Sequence, residues 1–469
     1  MISRYTLLKE NYKGILFLIV AVLAGIALMQ NPPAGLSVAG YRAVVVFGMC
    51  VVFWVAHVLP LAITSLLAIV LLPLFGILET AEAYSLFGNS AVFFIIGALI
   101  LSTGLVTTGL AERIALWVLR RSGNKPKRLL AGVYFLCVVT SFIMPEHAVA
   151  AMMLPIVLQM IHWLKLEPYK SNFGKALLLA IVWGTLTGGV ATFLGGARNI
   201  LAVAILEENT GLSISFTDWA VAILPISIVI AIVGFFLLQK MFPIEIDTTE
   251  SVHIKLIEKR KSLGKLSDDE ITMLAILVAT VGAWIFLSES LGLANIAIIS
   301  VVVMFLFRVV RWQDAEEHVN WGIILMYGGA IALGVALERT GAALFITNSV
   351  LDIIPVHPWV LVIGLIICTL AFTEVMSNAA VVAMLMPVAL SIALTYNLNP
   401  IGIAFIIAVP AGFAFMMPMG SPPNALAYSA NFYTLKDTIR AGIFMNIIAL
   451  VIFIIGALVW WPLVGVSIF

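Results

Sequence analysis

Two long apolar runs in this 469-residue chain are broken at their middles by polar residues, and the second break repeats the first. Polar and charged side chains inside hydrocarbon are costly, so they face a cavity or a partner and mark an ion or substrate path. The first break reads Ser141-Phe142-Ile143-Met144-Pro145-Glu146-His147-Ala148, and the second, 232 residues on, Thr373-Glu374-Val375-Met376-Ser377-Asn378-Ala379-Ala380. At the same offset Val149, Ala151, Met152, Pro155 and Leu158 recur as Val381, Ala383, Met384, Pro387 and Leu390. Upstream, Gly97-Ala98 and Thr108-Gly109 recur as Gly329-Ala330 and Thr340-Gly341. A constant spacing held over about sixty positions makes the chain two copies of one unit, each with a polar site at membrane depth.

Hydrophobic residues make up 62% of the chain and charged residues 10%. A soluble domain carries about a quarter charged residues, so this is a polytopic helical membrane protein. The net charge of +1 gives no reason to expect nucleic acid as a partner, because the bases sit in short loops. Cys50, Cys137 and Cys368 lie in separate apolar runs, which suits buried thiols better than a disulfide or metal framework. Gly14 to Met29 follows Arg4, Lys9 and Lys13 and shows no clear small-residue cleavage site, so it reads as a retained first helix.

Runs long enough to span fall near 14–31, 42–58, 60–77, 88–111, 176–200, 217–239, 269–288, 292–308, 320–338, 399–418 and 441–464. Residues 129–163 and 357–392 are too long for one crossing and too short for two, which fits re-entrant hairpins. With the N-terminus inside, the inner segments 1–13, 112–128, 164–175, 240–268, 308–319 and 431–440 hold every Lys and Arg except Arg42, Arg198 and Arg339. The C-terminus then lies outside. Each copy makes an odd number of crossings, so the second is upside down relative to the first. The expected fold is an all-α integral membrane protein of about eleven transmembrane helices plus two re-entrant hairpins in two inverted-topology repeats. Residues 1–41 carry the first helix, 42–240 repeat 1 with an inward-opening hairpin, and 269–469 repeat 2 with an outward-opening one. Residues 241–268 form a charged linker between them, read as a solvated helix.

At the second tip, Ser377 and Asn378 follow Thr373 and Glu374, and a helix break there frees carbonyls for a cation and N–H groups for an anion. Downstream of each hairpin comes a glycine-containing break: Gly195-Gly196-Ala197-Arg198-Asn199 in the first half and Gly420-Ser421-Pro422-Pro423-Asn424 in the second. Paired prolines remove two donors, and glycine lets a ligand approach the backbone.

These breaks, Ser377-Asn378-Ala379 after Thr373-Glu374, and Gly328-Gly329-Ala330-Ile331-Ala332-Leu333-Gly334 followed by Thr340-Gly341 resemble the divalent anion/sodium symporter family over nearly the whole chain. The resemblance implies homodimers with a scaffold and a moving transport part, working as an elevator in the bacterial inner membrane. It implies di- or tricarboxylates or sulfate as substrate, with sodium as coupling ion or exchange in its place, and no cofactor. Each tip in that family carries Ser-Asn-Thr. Ser377 and Asn378 match, Ala379 stands at the Thr position, and Pro422, Pro423 and Asn424 match. By the same resemblance Ser377, Asn378, Ala379, Pro422 and Pro423 meet the anion, while Thr373, Asn378, Gly420 and Asn424 hold sodium.

The first half departs from the family, with Pro145-Glu146-His147 at the tip and Ala197-Arg198 where Pro-Pro is expected. Gly195 and Asn199 remain ion-site candidates, and Glu146, His147 and Arg198 stand at the substrate. Either Glu146 and Arg198 pair, as a structural pair or with the guanidinium in place of sodium, or Arg198 meets the anion and Glu146 titrates. His147 makes proton coupling possible, since imidazole titrates near neutrality. A proton- or cation-coupled antiporter using Glu146 is the alternative within transport. An intramembrane enzyme is disfavoured because Glu146-His147 comes without a nucleophile, base and orienting group in one set. A two-hairpin transporter brings Ser377-Asn378 and Glu146-His147 together beside Asn199 and Asn424, and tips far apart in the structure would overturn the whole reading.

Overall fold

Tip-to-tip contact requires that the two halves pack on each other, and the helix boundaries already suggest how. The computed structural model describes residues 4–353 and 357–468. In chain order the first half comprises α1 (Arg4–Leu28), α2 (Val38–Val55), α3 (Leu61–Leu74), α4 (Thr80–Ser85), α5 (Ser90–Thr107), α6 (Leu110–Leu119), α7 (Pro126–Thr140), α8 (Glu146–Trp163), α9 (Asn172–Gly189), α10 (Ala197–Thr210) and α11 (Phe216–Met241). A linker helix α12 (Glu250–Ser262) leads to α13 (Asp268–Leu291), α14 (Leu293–Leu306), α15 (Trp312–His318), α16 (Trp321–Arg339), α17 (Ala342–Ile353), α18 (Pro358–Thr373), α19 (Asn378–Thr395), α20 (Pro400–Ala408), α21 (Pro422–Ser429) and α22 (Leu435–Val459). Helices α3, α4, α6, α7 and α8 start at Leu61, Thr80, Leu110, Pro126 and Glu146, and α14, α15, α17, α18 and α19 each start 232 residues later. Among the described residues the chain is all-helical, and seven helices are long and apolar enough to cross a membrane, with shorter apolar helices between them.

The halves pack reciprocally. Helix α3 lies on α16 and α5 on α14, while α10 lies on α19 and α8 on α21. Small residues set how closely these helices approach, as is usual in membrane bundles. A Cβ at Gly97 of α5 would stand 2.5 Å from the Ala297 Cβ of α14, and one at Gly329 of α16 would stand 2.4 Å from the Ser65 carbonyl oxygen of α3. Gly97 and Gly329 hold matching positions, as do Ser65 and Ala297. The same contact is therefore made twice, once with the roles of the halves exchanged. Away from these seams the outer faces are apolar, with Phe286 of α13 and Leu306 of α14 exposed to the hydrocarbon the chain needs around it.

Two expected spans are interrupted. The run at 176–200 is helical only to Gly189, unwinds, and resumes as α10 at Ala197. The run at 399–418 is helical to Ala408 and then turns through Pro410–Gly412 without resuming until Pro422. Gly188-Gly189 and Pro410 with Gly412 cost the helix its regular ladder, while apolar content alone carries no trace of the break.

The three arginines outside the expected inner segments are each engaged. Arg42 donates to the Phe75 carbonyl at 2.7 Å, Arg339 pairs with Glu82, and Arg198 pairs with Glu146. The linker is docked rather than merely solvated: Val252 and Leu256 of α12 are buried. Lys259 meets Glu112 of α6 at 2.8 Å, and Arg113 of α6 binds Glu270 at 2.6 Å and the carbonyls of Leu263, Gly264 and Lys265. Cys50 and Cys137 are buried as expected, whereas Cys368 is exposed on α18, where the surroundings are hydrocarbon.

A methyl group at Gly329 has backbone, not a flexible side chain, in its way. Gly329→Ala is expected to cost about 1–3 kcal/mol as overpacking, read as a lower thermal midpoint in detergent. Gly25→Ala on α1, with nothing within 4 Å of the new methyl, should stay within about 0.5 kcal/mol of the parent.

Candidate functional site

Each hairpin turns on a short non-helical link, Ser141–Pro145 between α7 and α8 and Glu374–Ser377 between α18 and α19. Ser377 caps α19 by accepting from the Ala380 N–H, while Pro145 opens α8 with no side-chain cap. The tips meet, as expected: the Glu146 carboxylate lies 3.3 Å from the Asn378 amide, and these are matching positions 232 residues apart.

The breaks behind the tips are held by amides. Asn199 Nδ2 donates to the carbonyls of Gly189 at 2.9 Å and Thr192 at 2.6 Å. Asn424 Nδ2 donates to the Ala414 carbonyl and, at 2.9 Å, to Ser421 Oγ. Buried carbonyls released by unwinding need donors, and these two side chains supply them. Both asparagines were expected among the ion ligands; the structure turns their NH2 groups to the break, and among the described residues Asn199 Oδ1 has no partner. Glu374, named with the second tip, faces away from it. Its carboxylate accepts from the N–H groups of Met416 at 3.1 Å and Met417 at 2.8 Å and from Asn446 Nδ2 at 2.7 Å, fastening the unwound stretch to the hairpin.

Around Asn378 oxygens crowd together. Thr373 Oγ1 lies 2.9 Å from Asn378 Oδ1 and within hydrogen-bond reach of the Ala411 carbonyl, and one hydroxyl proton cannot serve both. The same corner of the amide is 3.2 Å from the Ala411 oxygen and 2.8 Å from the Gly420 oxygen. Two arrangements relieve this crowding. The amide can turn its NH2 onto the carbonyls and its oxygen toward Arg198 Nη1 at 3.1 Å. Alternatively Oδ1 stays, and a cation sits among four neutral oxygens, the ligand type that hard cations and the unwound helices of transporters use. These residues fit a sodium ion.

The matching place in the first half does not. Arg198 Nη1 donates to both carboxylate oxygens of Glu146 at 2.9 and 3.0 Å, and both side chains are buried. Glycines make the room: a Cβ at Gly189 would stand 2.4 Å from Glu146 Oε2, one at Gly196 2.8 Å from Arg198 Nη1, and one at Gly412 2.5 Å from Arg198 Nη2. Gly195 closes the arrangement by accepting from the Glu146 N–H at 2.9 Å.

In front of the tips lies a cavity of about 310 Å³ walled by Glu146, His147, Gly195, Arg198, Ser377, Asn378, Ala379 and Pro422. Thr373, Gly420, Pro423, Asn199 and Asn424 are not on that wall. Sequence reasoning missed the facing side, formed by Pro60, Leu61 and Ala62 and by Asn320, Gly322, Ile323 and Met326. Their common feature is position: they open α3 and α16. With Glu146, Ala197, Asn378 and Pro422, the wall carries the first residues of α3, α8, α10, α19 and α21 and the N-cap of α16. Helix N-termini carry partial positive charge, so six of them around one cavity favour an anion there.

Residues 10–467 match the family described as the sodium:sulfate symporter transmembrane region. The chain is 26% identical over 479 residues to the sodium-dependent dicarboxylate transporter SdcS of Staphylococcus saprophyticus, spanning 95% of this chain and 92% of that one. It is 27% identical over 438 residues to SdcS of Staphylococcus aureus strain USA300, spanning 88% and 84%. Among solved structures it shares its fold with MtrF of Neisseria gonorrhoeae, from work on antimetabolite efflux pumps, at a TM-score of 0.56 and 12% identity over 95% of this chain and 94% of that one. It also shares it with the YdaH transporter of Alcanivorax borkumensis, at 0.51 and 14% over 97% and 98%.

Glu374→Ala removes the carboxylate to which the Met416 and Met417 N–H groups donate and leaves those half-buried donors without it. The cost is expected to be on the order of 3 kcal/mol, seen as a lower thermal midpoint, with Glu374→Gln losing less. Midpoints equal to the parent would mean the unwound stretch is held by other contacts.

Proposed function

The chain belongs to the sodium:sulfate symporter family, and from that premise we propose that it carries a small divalent anion across the membrane as a secondary active transporter coupled to sodium. It is a transporter and not an enzyme, as its relatives are. The observation that carries the substrate class is the ring of six helix N-termini around one cavity. The relatives transport dicarboxylates in a sodium-dependent way, and a dicarboxylate is the substrate we assign first, with tricarboxylates and sulfate as related anions.

The anion sits against Ser377, Asn378, Ala379 and Pro422, with His147 across the cavity. Sodium sits behind it among Thr373 Oγ1, Asn378 Oδ1 and the carbonyls of Ala411 and Gly420. Asn378 then touches both ligands, so each makes the other's site better formed, which is the reciprocity that coupling requires. Glu146 is held by Arg198 and is not free to carry a proton alone, which weighs against the antiporter reading.

Alternating access follows from the reciprocal packing. Two copies related by exchange of roles, each with an odd number of crossings, stand inverted in the membrane, and the tips can be exposed to one side and then the other. We place the N-terminus inside and the C-terminus outside, with the tips, α9, α10, α20 and α21 moving as an elevator against a scaffold built on the α3–α16 and α5–α14 seams. The exposed apolar faces of the scaffold then serve lipid and a second copy in a homodimer.

Asn378→Ala is expected to abolish sodium-driven dicarboxylate uptake into proteoliposomes while leaving the protein folded, because a methyl group replaces neither contact. A second readout is sodium-dependent thermal stabilisation of the purified protein, expected in the parent and absent in the variant. Wild-type uptake kinetics in the variant would place the site elsewhere. A panel of labelled succinate, citrate and sulfate, with and without sodium and a pH gradient, identifies the anion and the driving ion.

A further inference from the structure

The two tips occupy matching positions, yet their surroundings are not equivalent. In the second half four neutral oxygens converge beside Asn378, a donor set that suits a cation and carries no charge of its own. In the first half the residue matching Asn378 is Glu146, and the residue matching Pro423, one before the break's asparagine in each half, is Arg198. The guanidinium lies against Glu146 and is packed by Gly189, Gly196 and Gly412, where any larger residue would meet it. Arg198 Nε and Nη2 are buried and, among the described residues, have no hydrogen-bond partner, so the group is placed by its charge and not by a full set of donors' partners.

We infer that Arg198 is a built-in cation: it permanently fills the place that in the other half receives sodium, so that one sodium ion, not two, moves with each anion. The inference rests on the transport reading above and deepens it by setting the coupling number. The charges agree with it. A carboxylate and a guanidinium together leave the first site neutral without any bound ion, while the second site has no charge until sodium enters. A sodium ion beside Arg198 would be repelled by the charge already there, and the Glu146 oxygens that would bind it are both engaged.

The test starts from the wild-type protein and needs no variant to fold. In proteoliposomes clamped at zero membrane potential, a tenfold sodium gradient should drive about tenfold accumulation of the labelled dicarboxylate if one ion is coupled, and about a hundredfold if two are. Labelled sodium should bind the purified protein once per chain. In Arg198→Ala the freed Glu146 carboxylate should accept a sodium ion instead. That variant should lose uptake at low sodium, regain it at high sodium, bind a second ion per chain, and show a steeper sodium dependence. The double change Glu146→Asn with Arg198→Pro copies the second half and is expected to bind two ions as well. Hundredfold accumulation by the wild type, two ions bound per wild-type chain, or an unaltered sodium dependence in a folded Arg198→Ala would overturn this inference alone. Absence of sodium-driven uptake of every anion tested would overturn the transport reading and this inference with it.

Discussion

A helix can stop in the middle of a membrane only where something other than water takes up the backbone groups it releases. That requirement organises the whole interior of this protein. Asn199 and Asn424 take the carbonyls of the two unwound stretches, Glu374 takes N–H groups of the second, and Gly195 takes the N–H of Glu146. At the site itself, among the described residues, Arg198 Nε and Nη2 and Asn199 Oδ1 are left without a partner. The candidate site is concentrated at helix starts, where the helix itself leaves partial positive charge.

Reciprocity explains why the tips find each other. The α3–α16 and α5–α14 seams repeat one contact, with Gly97 on Ala297 and Gly329 on Ser65, and so place the two halves by the same rule from both sides. Once those seams close, matching positions in the two halves are brought to a common centre, and Glu146 meets Asn378 there. The architecture is nearly symmetric, whereas the chemistry at its centre is not. Glycine at 189, 196 and 412 provides the volume that the asymmetric guanidinium requires.

Much of this was legible in the chain. The constant offset between the two polar interruptions points to two copies of one unit and names the tip residues, while pairing of Glu146 with Arg198 is one of two alternatives raised where the chain departs from the family it resembles. What hydropathy could not reveal was where the helices end. Residues 176–200 and 399–418 are apolar throughout, and the unwinding after Gly189 and Ala408 lies in the backbone, not in side-chain polarity. Pro60 and Asn320 are missed for a related reason: they contribute to the site as the residues just before a helix, and only the packing of α3 on α16 brings those starts to the cavity. Asn199 and Asn424 are ion-site candidates through the resemblance and their matching positions in the two breaks; an amide can donate or accept, and the carbonyls freed by unwinding draw its NH2.

The docked linker has a consequence for how firmly the hairpin arm is held. Lys259 of α12 touches Glu112 on α6 and Gln159 on α8, so one side chain spans the linker, a short connecting helix and a hairpin arm. These groups are partly open to water, and an exposed pair of this kind contributes no more than about 1 kcal/mol. A tenfold ion gradient supplies about 1.4 kcal/mol per ion. Breaking the contact therefore costs less than one ion's passage down such a gradient releases, so the linker holds the hairpin arm without locking it.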